Sequence, residues 1–190
     1  MSQINSGETG VNTRAEMLKG LAAGTIGGLV ASWVMEEFQY AWYKLSKHVR
    51  PGDSGESSSA NNGEQSQSEE TEPSTVKAAE MISEKIFGHQ LAKDEKKLAG
   101  DAVHYVTGAT SGAIYGVAAE LAPKVTVGAG LPFGTAVWLV VDEAAVPLFG
   151  LAKAPTEYPL STHIYALASH FVYGVSTEVV RHTLRQTILK

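Results

Sequence analysis

Four stretches of this 190-residue chain each contain a run of 16 to 20 residues without Asp, Glu, Lys or Arg. The first covers residues 20–35, between Lys19 and Glu36-Glu37, and the second covers 102–119, with His104 its one ionisable residue. The third begins within 126–134 and reaches 147–150; the fourth covers 160–180 and holds His163, His170 and Glu178. A helix rises about 1.5 Å per residue, so each run is close to the hydrocarbon thickness of a bilayer. A soluble amphipathic helix shows a charged face at every turn, and these runs show none. The spacing therefore predicts an all-α fold, a four-helix transmembrane bundle, with a soluble helical bundle as the less favoured alternative. Mean hydropathy is only −0.05 because polar linkers are pooled with spans diluted by Gly, Ala, Ser and Thr.

Glycine placement says how two of these helices meet. Gly20, Gly24 and Gly28 recur every four residues, as do Gly108, Gly112 and Gly116. In a soluble helix each would cost about 1 kcal/mol against Ala, whereas small-xxx-small ridges let membrane helices approach closely. The first helix is expected over 14–44, with an interfacial aromatic belt of Trp33, Tyr40, Trp42 and Tyr43 and an extension to residue 50. Residues 1–13 read as a flexible N-terminus without a signal peptide. Residues 51–75 read as a disordered acidic linker, rich in Ser and Glu and lacking branched aliphatic or aromatic side chains. Ser74 or Thr75 is expected to cap a short amphipathic helix between spans 1 and 2, and 76–190 then holds that helix and spans 2–4.

Charge and cysteine content exclude several functions. The chain carries −5, while 52–75 alone carries −6, so the acidity belongs to the linker. No Lys/Arg stripe appears, which argues against nucleic acid as a partner. The absence of cysteine removes disulfides, thiolate metal sites and Cys nucleophiles. The serines lie outside any Gly-x-Ser-x-Gly context and the glycines lack a phosphate-loop Lys, so an enzyme is not the favoured reading.

The ionisable residues inside the spans are the informative ones. Antiparallel spans place Glu36 and Glu37 at the end of helix 1, His104 at the start of helix 2, Asp142 and Glu143 late in helix 3, and His163 and His170 early in helix 4. All occupy one half of the bundle. At about 100° per residue, His163, His170, Gly174 and Arg181 share a face, as do His104, Gly108, Ser111 and Tyr115. Buried charge in a bilayer normally faces the bundle and pairs, so Asp142 is expected against His170 or His104. The predicted polar cluster is Glu36, His104, Asp142, Glu143, His163 and His170, with Tyr115, Tyr173, Glu178 and Arg181 secondary. It is read as structural or pH-responsive, since His titrates near neutrality. The alternative is a redox site, with a divalent metal held by His and carboxylate or haem between His104 and His163. Glu178 and Arg181 are expected to form a local i,i+3 pair. The partners expected are the lipid bilayer and a homo-oligomer through the glycine faces. Arg14, Lys19, Lys124, Arg181 and Arg185 on one side place both termini in the cytoplasm.

Several local patterns carry a resemblance. His104-Tyr105, Tyr115-Gly116 with Glu120 and Pro123-Lys124, Pro147-Leu-x-Gly150-Leu151, and Ser169-His170-x-Val172 with Ser176, Glu178, Arg181 and Arg185 resemble the YagU-like family of bacterial inner-membrane proteins. The likeness covers about 99–185. It implies a small four-helix protein of the inner membrane and assigns no catalytic residue. The sequence departs from that family in its Ser/Glu-rich linker, and Asp142-Glu143 is read on physical grounds alone.

Overall fold

The computed structural model describes residues 5–49 and 72–189, with side chains described for 13–47 and 72–189. The linker disorder expected over 51–71 lies outside the described residues. Among those described, the fold is helical and has no strand.

Helix α1, Asn5–Val49, starts earlier than the expected Arg14 and carries the first uncharged run along its middle. Helix α2, Ser74–Ile82, continues into a π-helical turn, Ser83–Phe87, and stops at Gly88, whose φ of 65° closes the helix in the left-handed region. The expected Ser/Thr cap is not formed. Pro73 occupies the N-cap position and Ser74 is buried within the first turn. Helix α3, Lys93–Leu121, is started instead by a carboxylate, with the Ala92 N–H donating to Glu95 at 2.8 Å.

The third run does not form one regular helix. Helix α4, Leu131–Leu148, is α-helical to Val137, π-helical over Trp138–Ala145 and α-helical again at Val146–Leu148. Gly128, Ala129 and Gly130 precede it with φ of 88°, 52° and 87°. Helix α5, Leu160–Thr187, follows a 3-10 turn at Pro155–Glu157.

Helix α1 is central and antiparallel to both α3 and α5, while α2 packs on α3 and α4 on α5. The two ridges meet along their length: a Cβ added at Gly20, Gly24 or Gly28 would stand under 3.0 Å from the carbonyl of Gly116, Gly112 or Gly108. The glycine faces expected to serve a homo-oligomer are thus turned toward each other inside one chain. A third close approach sets Gly130 and Gly134 of α4 against the Gly174 and His170 carbonyls of α5. Helix α4 therefore begins halfway along α5, not at its end, and covers only the first half of that helix.

Two helical segments, Thr13–Lys47 and Leu131–Leu148, are long and apolar enough to cross a membrane. Among the described residues, polar side chains are buried beside apolar ones while many large aliphatic side chains are exposed. The core cluster is small, formed by Ala31, Met35 and Tyr173 with Phe133 and Val137 against it. Ser32, Gln39, Ser169, His170, Thr177, Glu178 and Arg181 are buried, while Leu29, Val106, Ile114, Val140, Ile164 and Val179 are exposed. Close glycine contacts leave no room inside for large aliphatic side chains, so these project outward.

Candidate functional site

The helices line a half-open cavity of about 210 Å³, to which α1 contributes Glu36, α3 His104, α4 Asp142 and α5 His170. Helix α2, expected only as a short amphipathic helix between spans, lines one side with Ser74, Thr75 and Ala78. The cavity floor is fixed by the Tyr173 hydroxyl, which donates to the Gly108 carbonyl at 2.6 Å. Only a helix without a side chain at 108 allows that bond beside Ser32 of α1.

Asp142 faces His170, with 3.6 Å between Oδ2 and Nδ1. The contact is electrostatic, beyond a good hydrogen bond, because His170 Nδ1 donates to the Ala166 carbonyl at 2.9 Å. Glu36 accepts the Tyr105 hydroxyl at 2.7 Å. The His104 ring stands edge-on to Tyr105, and its Nε2 is buried without a partner. Ser32 Oγ, Gln39 Nε2 and Thr75 Oγ1, which also line the cavity, are buried and unpartnered too. Buried polar atoms are nearly always hydrogen-bonded, so four orphans around one space mark a site that expects an occupant or water.

The remaining two members of the predicted cluster sit next door. His163 Nδ1 lies 2.7 Å from Glu143 Oε1, and its Nε2 lies 3.0 Å from the Pro155 carbonyl. Both nitrogens face acceptors, an arrangement that an imidazolium satisfies. With both nitrogens engaged, His163 cannot serve as an axial haem ligand opposite His104 without giving up one of these hydrogen bonds. The π-helical stretch directs consecutive acids to different places, Asp142 to both spaces and Glu143 to the smaller one alone. Among the described residues, no three His, Asp or Glu side chains are grouped so as to hold a metal ion.

At the other end of the bundle the polar side chains pair fully. Arg181 donates to both oxygens of Glu178, at 2.7 and 2.8 Å, and the Tyr115 hydroxyl donates to Glu178 at 2.9 Å. Arg185 grips both oxygens of Glu120, at 2.7 and 3.1 Å, and also bonds Glu16 of α1, which pairs with Lys19. Tyr115 stacks on Phe133 at 4.2 Å, bringing α4 into the group. The Glu178–Arg181 pair is thus part of a network across three helices, which the i,i+3 reading understated. The ridge register would have revealed it: pairing Gly20 with Gly116 sets Glu16 level with Glu120.

Among the described residues, fold and site together define an all-helical protein with many exposed aliphatic side chains, an ion network at one end and an unsatisfied polar cavity at the other. The model of a family described as "Protein of unknown function (DUF1440)" matches residues 66–179, and the chain belongs to that family. The matched segment contains α2, α3 and α4 and the cavity-facing part of α5, while α1 precedes it. Neither a curated protein nor a solved structure matches the chain.

Proposed function

We propose that the chain is an integral membrane protein of the YagU-like kind, resident in the bacterial inner membrane, with α1, α3, α4 and α5 as spans and the cavity as a pH-responsive polar site. The observation that carries this reading is the Asp142–His170 approach at 3.6 Å inside a cavity that also presents Glu36 and His104. The titratable groups that line the cavity with His170 come from three other helices: Asp142 of α4, Glu36 of α1 and His104 of α3. Helix α2 brings hydroxyls only. Loss or gain of one proton among them alters the net charge of a space with few compensating groups, and so alters how tightly the surrounding helices close.

Support for the membrane setting comes from the exposed aliphatic side chains and buried polar ones and from the two sufficiently apolar helical segments. Of the left-handed residues before α4, Gly130 is covered by protein, seated on the Gly174 carbonyl, while Gly128 and Ala129 are exposed. Lys19, Lys124 and Arg185 at one end of the bundle support a reading with both termini in the cytoplasm.

Two measurements test the proposal. The protein should remain with carbonate-washed membranes; release into the wash removes the membrane reading. In detergent, the His170 ring resonances should titrate with a midpoint that moves when Asp142→Asn is introduced. A midpoint indifferent to Asp142, with no pH-dependent change elsewhere in the protein, removes the pH-responsive reading.

A further inference from the structure

The cavity differs from the rest of the interior in the sign of its unpaired groups. Two carboxylates, Glu36 and Asp142, line it, and no Lys or Arg does. At the opposite end, Glu120 and Glu178 are each met by an arginine. Glu36 has a phenol proton from Tyr105, and the Nδ1 proton of His170 that faces Asp142 is directed at the Ala166 carbonyl. Neither contact supplies the full countercharge that a half-buried carboxylate calls for.

A second, independent observation points to a ligand. Ser32 and Gln39 are 1% and 3% exposed, both line the cavity, and Ser32 Oγ and Gln39 Nε2 have no hydrogen-bond partner. The Gln amide can present either its oxygen or its nitrogen to the space. Much of the wall is apolar, with Met35, Val137, Val141, Val146 and Phe149 beside Tyr173. A cavity of about 210 Å³ exceeds the requirement of one water many times over. A bare metal ion would need three grouped ligands, which the described residues do not provide.

We propose that the cavity binds a small organic cation: a primary ammonium with an apolar body, its charge between Glu36 and Asp142 and its chain against the aliphatic wall. The ammonium has three donors, enough for both carboxylates and for Ser32 Oγ or the Gln39 amide oxygen. The rings of Phe149 and Tyr173 suit a cation that has shed its water. This inference rests on the cavity being the functional site, but it concerns the charge of the ligand at one pH and not the titration of His170.

The test uses the full chain in detergent at fixed pH, titrated with n-butylammonium, n-butanol and butyrate while heat of binding and melting temperature are followed. Butylammonium is expected to saturate and to raise the melting temperature, butanol to bind more weakly and butyrate not at all. Asp142→Asn and Glu36→Gln should each weaken butylammonium at least about thirtyfold, the effect of removing one partner of a buried charge pair. Both should leave the butanol response intact. Asp94→Asn, which alters the same net charge on the exposed start of α3, should change nothing. If Asp142→Asn does not fold, Glu36→Gln carries the comparison alone. Equal binding of butanol and butylammonium, preference for butyrate, or no binding by any probe overturns the proposal, even where His170 still titrates as expected.

Discussion

The two ends of this bundle solve the burial of charge in opposite ways. At one end Glu16, Glu120 and Glu178 are matched with Lys19, Arg185 and Arg181, two of the pairs bidentate. At the other, Asp142 and Glu36 face an open space with His104, Ser32 and Gln39 unpartnered around it. Both ends share the same helices and the same glycine-to-glycine contact between them. Geometry therefore permits full pairing, and only one end uses it. The difference separates a clamp, which holds helices together, from a site, which keeps polar atoms available for something else.

The comparison can be broken or sharpened by substitution, beginning with the contact that both ends depend on. Gly24→Leu places a side chain against the Gly112 carbonyl, where only backbone lies in the way. Overpacking here should reach about 3 kcal/mol or more, and no monodisperse folded protein should be recovered in detergent. A variant that elutes and melts like the parent would show that the ridge does not unite the two ends. Next in size is Arg181→Ala, which leaves Glu178 buried with only the Tyr115 hydroxyl and should lower stability by about 3–5 kcal/mol in thermal or denaturant melts. Asp142→Asn, at the cavity end, should change stability by no more than about 1 kcal/mol, because its carboxylate has no full countercharge to lose. Equal losses for Arg181→Ala and Asp142→Asn would erase the distinction between clamp and site.

The smallest effect concerns the wall that α2 provides. Lys96 of α3 bonds Glu72 at 2.7 Å and pairs with Glu80 of α2 at 2.5 Å. Its ammonium is pushed up to about 12 by Glu72 first and Glu80 second, and it holds the Glu72 carboxyl below its ordinary 4.5. A depressed carboxylate contributes above its unfolded value and loses that contribution as pH falls through the folded one. The protection of α2 amides relative to their intrinsic exchange rates should therefore fall as pH drops below 4.5, and Lys96→Ala should lower it already at neutral pH. Exchange that ignores both would detach α2 from the closure of the cavity.

Much of this was legible in the residues. The paired glycine ridges predicted the α1–α3 contact, and antiparallel counting put Glu36, His104, Asp142 and His170 at one depth, where the structure sets all four on one cavity. A rotation of about 100° per residue already turned Glu143 away from Asp142, but the π-helical form of Trp138–Ala145 was not legible. Nor was the starting level of α4, which depends on Gly130 finding the Gly174 carbonyl across the bundle. The Arg185–Glu120–Glu16 chain joins residues far apart in sequence, and i,i+3 spacing could offer only its local link.

By itself the sequence determined the helices, their order and the residues without aliphatic alternatives at the interior positions, since periodicity and glycine spacing are local properties read along one chain. Tertiary structure decided which polar atoms find partners. Satisfaction of a buried donor depends on what a neighbouring helix presents within about 3 Å, and that is fixed only when all the helices have docked. Arg181 and His104 are both ionisable residues in apolar surroundings. Only the docked helices show that one is saturated and that the other still presents a free ring nitrogen.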